Sequence, residues 1–447
     1  MSLLSYRSKA GVKSVEYHLI WRVRQFLASG QGMTGYPNKT DVMANRKIRE
    51  KLVLKPVNEG HLEQFNKLLR YVFQVTSKDL LEGGYEDGEL IRTKLPMLER
   101  ADVFGWFNGE NLVSQVCIYP CTVNIHGWKY DMGGITGVGT YPEYAGIGLM
   151  GDLIQVALRS MREKGQWVSY LYPYDIPFYR KKGWEIMSDM ISFTVSDARL
   201  PKQVDVPGYV ERVEIDHPDV LETYDRFARD THGAMIRNED DWKEYWRWEN
   251  EEERIAAVYY NEQRSSTGFV IYWVEEDVFH IKEMVYLDME SRNGLWNFIS
   301  AHYSMIDEVQ GKIYKNEPLA FFLDDSEITE TITPYYMARI VDVRAFLEVF
   351  PFVGQTLPFH FIVSDSVANW NNGVFCVTGV ENGKNRITDE LLGKPVQLSI
   401  QTLSALLMNY RSASYFAALE RIRTDPETLK MLESIIPNQE PYFSDYF

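Results

Sequence analysis

The stretch GVGTYPEYAGIGLMGDL, residues 137–153, decides how this chain is read. Its Gly146-Ile-Gly148-Leu-Met-Gly151 matches the G-x-G-x-x-G dinucleotide fingerprint letter for letter. That fingerprint works only when the first glycine closes a strand, a helix opens inside the motif, and an acid about 20 residues on takes a ribose hydroxyl. Here the strand ends near Val138, seven residues before Ala145, with Pro142 and Glu143 between, and the next strand, WVSYLY, runs into Pro173 with no acid at its tip. No Gly-Lys-Ser/Thr follows, which excludes a Walker loop. What survives is a strand, a proline turn and glycines at a helix start, whose backbone N–H groups and dipole suit a pyrophosphate.

Outward from that loop the chain alternates. A strand LVLKPV and a helix HLEQFNKLLRYVF precede strands joined at Asn108-Gly109. The helix AGIGLMGDLIQVALRSMREKG carries apolar Met150, Ile154, Ala157 and Met161; strand QWVSYLY and short helix IPFYRKKG follow. Gly165 and Gly183 read as helix stops and Pro177 as a first-turn residue. ISFTVSDARLPKQVDVPGYV reads as a linker, after which the same grammar returns, with LDMESRNGLWNF in place of the glycine loop. One glycine there instead of three implies that only the first copy takes a cofactor. A third region begins near Met337 and ends in the aromatic run PYFSDYF.

At about 150 residues per domain, 447 residues imply roughly three domains. Forty-seven Lys and Arg against 63 Asp and Glu give a formal charge of −16, which disfavours nucleic acid and anionic membranes and favours cationic partners. Cys117, Cys121 and Cys376 form no C-x-x-C pair and the eight histidines show no ligand spacing, so a reducing cytoplasm and no metal site are expected. No run reaches the roughly 18 apolar residues of a membrane helix. The first 42 residues, with Arg7, Lys9, Lys13, Arg22, Arg24 and Lys39 against Glu16 and Asp41, read as a non-domain extension, and Met43 as an alternative start.

The order V-x-x-x-P-E-Y-x-G-x-G leading into a helix resembles the acetyl-CoA loop of the GNAT superfamily of N-acetyltransferases. With LYPYDIPFYRKKGWE, a degenerate second copy and a third region ending in Phe447, the chain from about residue 51 to 447 resembles the enhanced-intracellular-survival (Eis) family. The resemblance implies an α+β chain: an extension at 1–50, non-native or disordered, a GNAT acetyltransferase domain at 51–201, a central degenerate GNAT domain at 202–337 and a sterol-carrier-like domain at 338–447. It implies a cytoplasmic homo-hexamer that binds neither nucleic acid nor membrane and uses acetyl-CoA to acetylate primary amines of a cationic small molecule, an aminoglycoside or polyamine, or lysine. Cofactor contacts carry over to Val138, Gly139 and Thr140 along pantetheine, and to Ala145, Gly146, Ile147, Gly148, Leu149 and Met150 at the pyrophosphate. The family's tyrosine falls on Tyr179 and its terminal carboxylate on Phe447. Ala145, Ile147 and Met150 stand where the family loop carries arginines or a third small residue, leaving fewer charge-assisted phosphate contacts.

Acetyl transfer to an amine requires one group to take the amine proton and another to protonate the departing thiolate. A terminal carboxylate at Phe447 suits the first role and a protonated Tyr179 the second; a backbone N–H near Val138 suits an oxyanion. Blander readings stand beside these. Tyr179 is one of 28 tyrosines, the glycines also permit close helix–sheet packing, and chain ends usually fray, although Tyr442, Phe443, Tyr446 and Phe447 favour docking. The run NEDDWKEYWRWENEEER, 238–254, reads as a solvated face whose Trp242, Trp246 and Trp248 pack a helix. Cys117 and Cys121 share a strand face as buried thiols, and His126 and His232 take structural roles. The rival function is a non-catalytic CoA- or lipid-binding protein with a vestigial loop; a nicotinamide oxidoreductase rests on the fingerprint alone.

Overall fold

The computed structural model describes residues 48–74, 99–247, 254–314, 318–354, 358–381 and 383–447. All but the last three residues of the extension at 1–50 lie outside these, as does Trp248. The chain forms two compact units, the first from residues up to Tyr119 with Ile135–Ser160, the second from Pro120–Gly134 with Met161–Phe447.

Strand β1 (Leu52–Pro56) pairs antiparallel with β2 (Asp102–Asn108), and β2 with β3 (Asn111–Ile125) through the expected turn, where Gly109 takes a φ of 59°. Helix α1 (Leu62–Val72) buries Phe65 and Leu68. Strand β4 (Trp128–Thr140) extends two residues beyond the expected end at Val138. Helix α2 (Leu149–Glu163) starts four residues later than the sequence pattern suggests. Gly146 and Gly148 have φ of 76° and 88°, a left-handed conformation that interrupts an α-helix and that glycine adopts without strain.

The second unit continues with β5 (Val168–Leu171), α3 (Ile176–Lys181), β6 (Glu185–Ile186) and β7 (Asp189–Ser196). Next come β8 (Tyr209–Val213), α4 (Pro218–Asp230), α5 (Glu239–Arg247), β9 (Ile255–Tyr260), β10 (Ser266–Glu275) and β11 (Val278–Tyr286). Helix α6 (Met289–Ser300), β12 (Glu308–Ile313), β13 (Thr329–Pro334) and β14 (Met337–Ile340) complete the repeat. Seven strands form one mixed sheet in the order β13-β7-β12-β11-β10-β9-β8. After α7 (Val343–Val349), strands β15 (Phe359–Ser364), β16 (Gly373–Glu381), β17 (Lys384–Thr388), β18 (Lys394–Ser399) and β19 (Ile422–Arg423) form another, ordered β17-β16-β15-β18-β19. Its helices are α8 (Ile400–Leu407), α9 (Ala413–Ala418) and α10 (Pro426–Ile435). The expected α+β class is met, and no described helix is long and apolar enough to cross a membrane.

The segment read as a linker begins instead with β7, a strand hydrogen-bonded on both sides, to β12 and to β13. Its apolar Ile191, Phe193 and Val195 alternate with polar residues, the period of a half-buried strand, before the Pro- and Asp-rich segment that follows. Reciprocally, β14 lies between β5 and β6, both earlier in the chain by more than 140 positions. The two exchanges form one antiparallel ribbon: β6 and β7 run beside β14 and β13, and between them Met187 and Ser188 donate to the Tyr336 carbonyl while Tyr335 donates to that of Ser188. Each fold of the tandem therefore completes its sheet with a strand from the other.

A second feature braces this unit. His126 and His232 stack with ring centroids 3.6 Å apart, both buried. His232 Nδ1 accepts the backbone N–H of His126 at 3.1 Å, which fixes the neutral tautomer whose Nε2–H donates to the Met408 carbonyl at 2.9 Å. Burial lowers both pKa values, and for His232 a charge on His126 lowers it further. Below the unfolded value, about 6.5, the unfolded chain binds more protons than the folded one, so stability is full above that pH and falls as pH drops through it. Thermal melts from about pH 8 to 5 are expected to show this decline, and His232→Gln to flatten it; an equally steep decline in the variant rejects the pair as its source.

Candidate active site

The loop residues predicted from the sequence come together in the first unit. Val138, Gly139 and Thr140 end β4, where Ser114 Oγ donates to the Gly139 carbonyl at 3.2 Å and lies 2.7 Å from Thr140 Oγ1. Tyr141 donates to the Val113 carbonyl, and a 3-10 turn at Pro142–Tyr144 brings the chain to Ala145. Gly146 has open space where a Cβ would stand. Leu149 and Met150 open α2, whose first intrahelical bond runs from Asp152 N–H to the Gly148 carbonyl, so earlier N–H groups have no helical partner. Two left-handed glycines, open space above the first and a helix N-terminus behind them fit a pyrophosphate. Ile147 and Leu149 pack with Trp106 and Leu52, which explains their apolar character.

One cation at this loop was not found from the sequence. Arg49 Nη1 donates to the Ile147 carbonyl at 2.8 Å and Nη2 to Asp152 Oδ2 at 2.6 Å. It lies 98 positions before Ile147, so no local motif connects them.

Tyr179 lies in the second unit on α3, a short helix capped by Asp175, whose side chain accepts the Phe178 N–H at 3.0 Å. Its ring is buried edge-on to Phe178 and Trp184. Burial, with Asp175 adding to it, pushes its hydroxyl well above the usual tyrosine range, so it keeps its proton at neutral pH. The end of α3 is held by the fully buried Arg339 of β14, which donates to the Lys182 carbonyl and pairs with Asp365. A Cβ at Gly183 would collide with that guanidinium, and φ there is 98°. Burial, outweighing Asp365, lowers the Arg339 pKa to about 10, leaving it charged at neutral pH.

The aromatic tail docks, with Tyr442, Phe443 and Phe447 buried; Tyr446, expected to join them, is exposed. The Phe447 ring lies so close to Gly134 of β4 that a Cβ there would approach it to 2.4 Å. Gly134 and Tyr170 are the last residues at which β4 and β5 pair. Phe443 meets Tyr170 at 5.4 Å and Tyr336 at 4.4 Å between ring centroids, and Tyr336 also meets Phe447 at 5.7 Å. The tail thus rests on the crossover ribbon and on the point where two parallel strands part.

What holds it there is Arg237, with no side-chain exposure. Its Nε donates to Asp445 Oδ1 at 2.7 Å and its Nη2 to Glu283 Oε1 at 3.1 Å, while the rings of Tyr224, Tyr245 and Trp242 lie 3.8, 4.1 and 4.5 Å from the guanidinium carbon. Ser444 and Tyr245 also donate to Glu283, and Tyr224 to Asp445. Burial raises the Asp445 pKa despite Arg237, whereas at Glu283 Arg237 and its added donors outweigh burial and hold the carboxyl low. Arg237, a lone cation just before the acidic run, carries no signal of this role in the sequence. Trp242 of that run is buried against it, as the packing reading expects.

The second fold has its own parted strands. β11 and β12 pair only over Val278–His280 with Glu308–Gln310, and beyond that Ile281, Glu283, Met284, Lys312 and Ile313 line a cavity of about 550 Å³. No glycine loop guards it. Asp288 caps α6, accepting the Ser291 N–H at 2.7 Å, so a carboxylate closes the helix end that a phosphate would require.

Comparison with known proteins agrees with this architecture. GNAT acetyltransferase domain families match residues 53–187 and 233–340, and a sterol carrier protein domain family matches 343–444. The expected order of two tandem acetyltransferase folds and a sterol-carrier-like domain is met. A conserved protein of Enterococcus faecalis, described as a probable N-acyltransferase, has 26% identity and a TM-score of 0.78, covering 89% of this chain and 99% of its own. A GCN5-related N-acetyltransferase from Anabaena variabilis, at 23% identity and TM-score 0.74, covers 89% and 100%, and Eis1 from Mycobacterium abscessus, at 15% and 0.74, covers 88% and 100%. The last two likenesses are of fold. No protein of curated function matches the sequence significantly.

Removing the cation beneath the tail leaves two buried carboxylates without a counter-charge. Arg237→Met is expected to destabilise the protein by about 3–5 kcal/mol in urea unfolding and to expose the last residues to carboxypeptidase. A variant as stable and as protected as the parent eliminates Arg237 as the tail's anchor.

Proposed function

We propose that this chain, an acetyltransferase built of two GNAT domains and a sterol carrier protein domain, moves the acetyl group of acetyl-CoA directly onto primary amines of a cationic small molecule, an aminoglycoside or polyamine, or onto lysine. The observation that carries it is the loop at 145–150, with its left-handed Gly146 and Gly148 at the start of α2, inside the first acetyltransferase match. Acetyl-CoA bound there supplies the thioester. Val138, Gly139 and Thr140 offer backbone to pantetheine, and the residues from Ala145 to Met150 offer N–H groups to the pyrophosphate. Tyr179, kept protonated by burial, donates its proton to the departing thiolate. The carboxylate of Phe447 takes the proton of the amine, so that a neutral nitrogen attacks.

A net charge of −16 favours a cationic acceptor. Asp288 at the corresponding helix start argues for a single cofactor site per chain. The resemblance to Eis proteins supports a cytoplasmic homo-hexamer. The rival, a CoA- or lipid-binding protein without catalysis, is favoured by apolar Ala145, Ile147 and Met150 alone.

Thiol release from acetyl-CoA by untagged protein, across aminoglycosides, polyamines and lysine peptides, tests the reading; silence across the panel with no CoA binding favours the rival. Tyr179→Phe is expected to lower turnover about a hundredfold with CoA affinity unchanged, and wild-type turnover removes Tyr179 from the mechanism. Residues appended after Phe447 are expected to impair turnover by displacing the carboxylate, and full activity of the extended chain eliminates that base.

A further inference from the structure

We infer that Arg49 is the cationic arm of the cofactor loop, placing its guanidinium on the pyrophosphate of CoA. The inference rests on the reading of residues 145–150 as the acetyl-CoA loop. That loop has no cation of its own, since Ala145, Ile147 and Met150 are apolar. Arg49 reaches it from the segment before β1 and lies across its centre: Nη1 bonds the Ile147 carbonyl at 2.8 Å and is the atom a Cβ on Gly148 would meet at 2.8 Å. A side chain at 148 would therefore displace the guanidinium as well as strain the backbone.

Arg49 is held there by Asp152, in the first turn of α2, at 2.6 Å. Both side chains are partly exposed, 42% for Arg49 and 32% for Asp152, and such a pair binds weakly. Among the described residues, one hydrogen on each of Nη1 and Nη2 is engaged, which leaves the second hydrogens and Nε–H to donate. A pyrophosphate, with more charge than a carboxylate and oxygens suited to a guanidinium fork, is the stronger partner for those donors. Asp152 therefore competes with the pyrophosphate for the guanidinium and yields it when the cofactor arrives.

Calorimetric titration of CoA and of dephospho-CoA, which keeps the pyrophosphate but lacks the 3′-phosphate, tests this. Arg49→Gln is expected to weaken both about tenfold or more, as loss of a charge-assisted bond does, while the melting temperature without ligand stays at the parent value. Arg49→Lys is expected to recover part of the loss, and Asp152→Asn, which releases the guanidinium, to tighten both ligands. Unchanged CoA affinity in Arg49→Gln overturns the inference, as does a loss confined to CoA or one accompanied by a fallen melting temperature with no response to Asp152→Asn. If the parent protein binds neither ligand, the reading of the loop itself fails, an outcome distinct from each of these.

Discussion

A single guanidinium buried with two carboxylates ties distant stretches of the second unit together. Arg237 has no exposure to water, and desolvating a charge so completely is tolerated only where opposite charges and donors surround it. Those partners come from distant stretches of chain: Glu283 from β11, Asp445 from the tail, and three rings from α4 and α5. The arrangement is complete only when the last residues have docked. Phe443 and Phe447 are then carried onto Tyr336 and Gly134, so a buried charge determines where the candidate base of the proposed reaction lies.

The two acetyltransferase folds show how one architecture diverges at a few residues. Both end a parallel strand pairing early, at Gly134–Tyr170 in the first and His280–Gln310 in the second, and both follow it with a helix. In the first, glycines open the helix start; in the second, Asp288 places a carboxylate there and takes the Ser291 N–H. A side-chain oxygen that satisfies a helix end is ordinary stabilisation, and it excludes an anionic ligand from the same position.

Much of this was legible in the sequence because it depends on local chemistry. Glycines at 146 and 148, Pro177 and Gly183 mark turns and helix ends whose geometry few other residues adopt, and each is found in such a place. The aromatic tail announced its docking through apolar area alone, although exposed Tyr446 shows that composition does not assign each ring. What escaped was partnership at a distance. Alternation at Ile191, Phe193 and Val195 specifies a strand without specifying which neighbours it bonds, so the exchange of β7 and β14 had no local signature. Arg49 and Arg237 were equally silent, since an isolated arginine says nothing of the carbonyl or carboxylate that will meet it.

The crossover ribbon also orders events at the ribosome. A chain emerging N-terminus first has made β5 and β6 long before Met337–Ile340, the strand that lies between them, has been synthesised. Until then those strands keep open edges, which are templates for unwanted pairing. The first acetyltransferase fold cannot close as the nascent chain passes its boundary, and β7, already made, must wait for β12 and β13. The two repeats are thus interlocked by exchanged strands despite their duplicated plan, and a gene cut between the repeats separates each sheet from a strand it requires.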